Sequence, residues 1–116
     1  MAPLEAKTEQ RDNAVILQVT GEVDSYTAPR LDEHLAAAFT EAARHGFAVV
    51  LDMTGVSFLS SSGLSVLVDH HTRGEDRGTP LRVVAPAGSV LRALRATMLN
   101  DLLELHDTVR EALAAG

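Results

Sequence analysis

Along the chain, short apolar runs rich in β-branched residues alternate with longer stretches whose apolar residues recur every three or four positions. Residues 4 to 10 alternate weakly, as an edge strand would. Ala14-Val15-Ile16-Leu17-Gln18-Val19-Thr20 reads as a strand, and Gly21 to Tyr26 reads as a loop. Thr27 stands where an N-cap belongs, with Pro29 in the first turn, where its missing N–H costs nothing. Leu31, Leu35, Ala38, Phe39 and Ala42 then share one helical face, and Gly46 is placed to end that helix. Phe47 to Met53 is a continuous apolar run, the pattern of a buried strand over 48 to 53. A polar loop leads to a helix beginning near Ser61, whose apolar stripe is Leu64, Leu67, Val68 and His71, with Gly74 and Gly78 as breaks. Leu81 to Ala85 is the next strand, closed by Pro86. Ser89 is a candidate cap for a short helix carrying Val90, Leu91 and Leu94. Leu102 to Leu105 reads as a short strand. Asp107 or Thr108 caps a last helix with Val109, Ala112 and Leu113.

Strands alternating with helices predict an α/β fold. The expectation is a mixed sheet of about four to five strands packed against about four helices. At this length residues 1–116 are expected to form a single domain. Sites in such sheets gather at the carboxyl ends of strands. The loops after residues 20 and 53 are therefore the places to look, since both are polar and both run into a helix N-terminus.

Composition narrows the function classes. The net charge of −6 argues against a direct nucleic-acid binder and against docking on anionic lipid. With no cysteine, disulfides, thiolate chemistry and cysteine-ligated metals are excluded. No apolar run is long enough for a membrane span or a signal segment, which points to a cytoplasmic protein.

The segment Ser60-Ser61-Ser62-Gly63 carries the most chemistry. Three hydroxyls sit where a helix begins, among free backbone N–H groups and at the positive end of the helix dipole. Such a place can hold a phosphate, on a ligand or on the serine itself; on spacing alone it is more often simply a capping serine, since serine clusters before helices are common. A serine hydrolase is disfavoured, because the nucleophile-elbow pattern needs a glycine where Leu59 stands. Asp69-His70-His71 lacks the i, i+4 histidine spacing of helical metal sites, so no metal and no cofactor is expected. Glu22 and Asp24 can be read as an acid–base pair or as surface and interface charges.

Taken together these blocks resemble the STAS domain, and within it the bacterial anti-sigma factor antagonists. Gly21-Glu22-Val23-Asp24 with Thr27-Ala28-Pro29 resembles the family's G-E-hydrophobic-D loop. Val49 to Met53 with Val56 and Phe58 resembles its central strand. Ser60-Ser61-Ser62-Gly63-Leu64 aligns with its D-S/T-S/T-G-hydrophobic motif, and Leu103 to Leu113 resembles the closing strand and helix.

The resemblance implies a non-enzymatic binding switch that sequesters an anti-sigma factor, often a serine kinase, and so frees a sigma factor in stress regulation. Phosphorylation inactivates such an antagonist, and a serine phosphatase restores it. The matching phosphorylation position is Ser61, ahead of Ser60 and Ser62. Glu22, Asp24, Ser25, Thr27, Ser60, Ser61, Ser62 and Gly63 are the implied partner-binding residues. The alternative is a STAS scaffold or transporter-accessory subunit that acts by contacts without phosphorylation. Ser60 stands where the family usually has Asp, which removes one negative charge beside the phosphorylation position. The oligomeric state is open at this point.

Overall fold

A computed structural model describes residues 3–115. Five strands, β1 (Glu5–Arg11), β2 (Ala14–Val23), β3 (Ala48–Leu59), β4 (Leu81–Val84) and β5 (Glu104–His106), lie side by side in chain order. β1 is antiparallel to β2, and β2 through β5 run parallel. The β1–β2 hairpin turns on Asp12 and Asn13, both with positive φ (52° and 63°). Two such residues match the right-handed twist of the flanking strands, and Asp and Asn tolerate that conformation best.

Each parallel step is made through one helix: α1 (Ala28–His45), α2 (Ser61–Arg77) and α3 (Ser89–Ala96). Right-handed crossovers that always advance in the same direction put all their helices on one face. Leu31, Leu35, Leu64, Leu67, Val90 and Leu94 accordingly share one buried cluster with Val15, Leu17, Val49, Leu51 and Val83. The short α4 (Val109–Ala114) follows β5 and covers the other face, where Ala112 meets Ala14, Ile16, Val50 and Val84. β2 and β3 are buried on both sides, which explains their near-continuous apolar runs. The expected α/β architecture, a mixed sheet of about four to five strands with about four helices, is observed with five strands and four α-helices among the described residues.

Several boundaries differ from the sequence expectation, each for a tertiary reason. The polar stretches 21–23 and 54–59 are not loops: Thr20, Gly21, Glu22 and Val23 pair with Gly55, Val56, Phe58 and Leu59. Register shifts interrupt that pairing, so no clean alternation advertises it. Gly74 lies inside α2 rather than breaking it, because a Cβ there would fall 2.4 Å from the Thr79 carbonyl and 2.9 Å from Phe39. His70, not His71, completes the buried stripe of α2, stacking on the Phe39 ring at 5.5 Å. Ser89 does not cap α3; Gly88 holds the cap position and the Ser89 hydroxyl donates instead to the Ser57 carbonyl. The last strand begins at Glu104, and Leu102 is left exposed after a 3-10 turn over Leu99–Asp101. Thr108, of the two cap candidates, caps α4 through the Glu111 N–H at 3.1 Å.

Candidate functional site

Two strand-to-helix turns meet at the carboxyl end of β2 and β3. The strands are neighbours, Val23 pairs with Leu59, and the Ser60 N–H donates to the Val23 carbonyl at 2.8 Å. Both turns therefore open on one surface, and Glu22, Asp24, Ser25 and residues 60–63 come together as the sequence pattern places them.

The first turn is closed on itself. One Asp24 carboxylate oxygen accepts the N–H groups of Tyr26 (2.9 Å) and Thr27 (3.0 Å), with the Thr27 hydroxyl at 3.2 Å. The Thr27 hydroxyl accepts the Asp24 N–H at 2.9 Å and lies 2.9 Å from the Glu22 carbonyl oxygen. The Ala28 N–H returns to the Asp24 carbonyl. Thr27 occupies the cap position of α1 without a side-chain cap bond; Asp24 takes the N–H groups of Tyr26, Thr27 and Ala28, and the Thr27 carbonyl takes that of Arg30. These N–H donors, that of Thr27 first, hold the Asp24 carboxyl below its ordinary value of 3.8. Glu22 is half-buried on the strand itself and pairs across the ladder with Phe58.

The second turn is open. Ser60 is the N-cap of α2, in extended conformation, and its hydroxyl accepts the Gly63 N–H at 3.3 Å. Asp and Ser are about equally good at this position, so Ser60 does the capping that an aspartate would do and omits the charge. Ser61 is the first helical residue, and it is exposed. Among the described residues its hydroxyl has no hydrogen-bond partner, and only its carbonyl is used, by the Ser65 hydroxyl at 3.1 Å. Gly63 is buried: a Cβ there would sit 2.5 Å from Leu59 Cδ1 and 2.7 Å from Val23 Cγ1. The glycine thus lets the start of α2 press against the ends of β2 and β3.

From this corner α2 runs as a ridge between two shallow grooves. One, of about 550 Å³, is lined by Ser25, Ala28, Pro29, Asp32, Ser62, Ser65, Val66 and Asp69. The other, of about 510 Å³, is lined by Ser61, Leu64, Ser65, Val68, Asp69, Thr72, Thr97 and Leu99. Large apolar side chains stand in solvent: Tyr26 at 86% exposure next to Ser25 in the chain, Met98 at 69% between Thr97 and Leu99, and Phe58 at 48% near the end of β3. Sequence reasoning missed their exposure: Tyr26 and Met98 lie in turns, where an exposed apolar residue leaves no periodic signature, and Phe58 lies on β3 beside the register shifts, where alternation is lost. Aromatic and methionine side chains at such positions are typical anchors for a protein partner.

Asp32, Asp69 and His70 bring three potential metal ligands within 4.8 Å of one another. The positive charge there is supplied by Arg73, 2.8 Å from Asp69 and 4.0 Å from Asp32. Buried His70 meets Asp32 at 2.7 Å and so ties α2 to α1.

Comparison with known proteins agrees with this geometry. A family model described as the STAS domain matches residues 5–112. The chain is 30% identical to the anti-sigma-F factor antagonist RsfA of Mycobacterium tuberculosis, over 97% of this chain and 87% of that protein. It is 30% identical to an anti-sigma-B factor antagonist of Listeria monocytogenes, over 93% and 91% respectively. A crystal structure of an anti-sigma factor antagonist from Mycobacterium paratuberculosis superposes with a TM-score of 0.86 at 30% identity, covering 97% of this chain and 93% of that one.

Proposed function

Because this chain belongs to the STAS domain family, we propose that it acts as an anti-sigma factor antagonist, a non-enzymatic protein that binds an anti-sigma factor and is switched at Ser61. The observation that carries the reading is the contrast at the corner of β2 and β3. The Asp24 carboxylate and the Thr27 hydroxyl are engaged within their own turn, whereas the Ser61 hydroxyl stands exposed and unengaged at the start of α2, on a molecule that also exposes Tyr26 and Phe58. The relatives named as antagonists at 30% identity support the partner class.

A serine kinase, which the anti-sigma factor itself can be, transfers phosphate to Ser61, and a serine phosphatase removes it. The dianion adds roughly −1.5 to −2 charge. Position N1 tolerates it, because the backbone N–H groups of Ser61 and Ser62 are still available at the positive end of the helix. The first turn of α2 has no acidic residue to repel it. The fold survives, and a docked partner meets a charge it did not have before. Asp24 serves this surface chiefly by fixing the turn, and Ser25, Thr27, Glu22, Ser62 and Gly63 shape it.

Incubation with the cognate anti-sigma factor and ATP, followed by site mapping with mass spectrometry and a binding titration, tests both halves. Phosphate on Ser61 with loss of the complex supports the switch. A stable complex that ATP leaves intact and unphosphorylated favours a contact-only scaffold, a reading for which the absent carboxylate at Ser60 is the specific observation. No complex at all with any anti-sigma factor of the source cell sinks the partner assignment.

A further inference from the structure

The free edge of the sheet carries a pattern that neither the fold nor the proposed switch uses. β1 is an outer strand, bonded only to β2, and all but one of its residues are exposed. Its sequence is Glu5-Ala6-Lys7-Thr8-Glu9-Gln10-Arg11. The charged residues all lie on one face, and their neighbours across the ladder are Thr20, Gln18, Ile16 and Ala14. None of those neighbours has a charge, and among the described residues none of the four β1 charges is in an ion pair. The alternation of sign therefore has no partner inside the molecule.

It has one in a second copy. When two β1 strands pair antiparallel about a two-fold axis through Thr8, Glu5 faces Arg11 and Lys7 faces Glu9, each twice. Opposite charges in directly facing positions stabilise a pair of strands, and like charges destabilise it. A slip of two residues either way sets Lys7 against Lys7 or Glu9 against Glu9, so the pattern selects a single register. Charge alone is a common defence of a free edge. Such a defence needs no particular order of signs and is strongest when they are alike. Here the order is self-complementary.

We propose that β1 is a homodimerisation strand that joins two copies into a continuous ten-stranded sheet. The geometry admits it. α1 packs over β2 and β3 rather than beyond β1. The two α1 helices then stand at least three strand spacings apart, about 14 Å, wider than the roughly 8–10 Å of packed helices. Thr8 and Gln10 face the α1 side, small or uncharged enough to let the strands approach. The antiparallel arrangement sends the two Ser61 corners to opposite ends of the assembly, so both stay open to a partner. The interface is isologous, as a two-fold dimer requires.

Sedimentation of the full chain across a range of concentrations at low salt reads the association, and Lys7→Glu, Lys7→Glu/Glu9→Lys and Thr8→Cys variants assign it. Wild type associates. Lys7→Glu, which opposes two glutamates twice by symmetry, weakens association about tenfold. The double variant restores it by exchanging the signs. Thr8→Cys lies opposite itself at a distance a disulfide can span, and in a chain without other cysteines it cross-links to a covalent dimer on mild oxidation. Thermal melts followed by circular dichroism check that the exposed substitutions leave the fold intact. A wild type that stays monomeric at every concentration overturns the proposal. So does a dimer that Lys7→Glu leaves unchanged, or a double variant that fails to recover.

Discussion

The two turns at the carboxyl end of β2 and β3 differ in what they do with their polar groups, although both end a strand and start a helix. In the Asp24 turn, carboxylate and Thr27 hydroxyl are consumed by bonds to backbone within the turn. In the Ser60 turn, one hydroxyl caps the helix and the next is left in solvent. Local bonding makes a polar residue part of the scaffold, and a polar residue without it is free for chemistry or for a partner. The comparison divides the residues that sequence alone grouped as one binding surface: Asp24 and Thr27 hold the corner, Gly63 sets how closely α2 approaches it, and Ser61 is presented by it.

The largest effect is expected where the corner is closest packed. Gly63→Val places side-chain carbon against Leu59 and Val23, where even a Cβ lies at 2.5 and 2.7 Å. Overpacking of this kind costs about 3 kcal/mol, read as a lower denaturant midpoint with an unchanged slope. A neutral outcome means the start of α2 is not pinned, and the contrast between a fixed and an open turn then loses its basis.

Next in size is the presented hydroxyl. Ser61→Ala is expected to keep partner affinity, to escape phosphorylation and to leave stability nearly unchanged, because the hydroxyl has no partner to lose. Ser61→Glu is expected to weaken partner binding by on the order of 1–3 kcal/mol, since a charge is forced against a desolvated surface. A carboxylate is a poor copy of a dianion with three acceptor oxygens, so phosphorylated protein is expected to bind more weakly still. Titration of the partner by calorimetry decides it, and a Ser61→Glu variant that binds like wild type would falsify the switch while leaving the fold untouched.

Asp24 tests the other half of the contrast. Asp24→Ala removes the acceptor for two N–H groups of the turn, and a melting temperature lower by a few degrees is expected along with any loss of binding. The sign of its pH dependence follows from the lowered carboxyl pKa. A depressed value stabilises the fold at pH above the unfolded value of 3.8, and that contribution is lost as the pH falls through the folded one. The gap between wild type and Asp24→Ala is therefore expected to be constant near neutrality and to close in acid. A gap that widens in acid would mean the carboxylate is held by something other than these donors.

What was legible in the sequence was whatever rests on local pattern. The buried face of α1 and the boundary at Ser60 and Ser61 follow from spacing and capping chemistry within a few residues, and the same chemistry narrows the last cap to Asp107 or Thr108. What stayed hidden depends on a distant partner. Residues 54–59 are strand only because residues 20–23 lie alongside, and Gly55 lets Thr20 come within 2.7 Å of where its Cβ would be. His70 is buried rather than His71 because Phe39 and Asp32 of α1 receive it. Asp24 is a scaffold residue because of the direction its carboxylate takes, which no spacing in the chain encodes.

The smallest effect is expected at the residue that most separates this chain from its family's motif. Ser60→Asp keeps an N-cap of equal rank and restores a carboxylate at the positive end of α2. The gain in stability is expected to be about 0.5 kcal/mol at neutral pH and low salt. It should vanish in acid as the carboxyl protonates, and shrink in high salt as the dipole interaction is screened. That small change has a larger counterpart in kinetics if a kinase reads the acid beside its target: Ser61 is then phosphorylated faster in Ser60→Asp than in wild type under the same conditions. Equal rates in the two proteins would assign the acid of the family motif to capping alone. Ser60 would then be a neutral replacement in a working switch. A faster rate would mean that this turn has kept the geometry of the switch and given up part of its recognition.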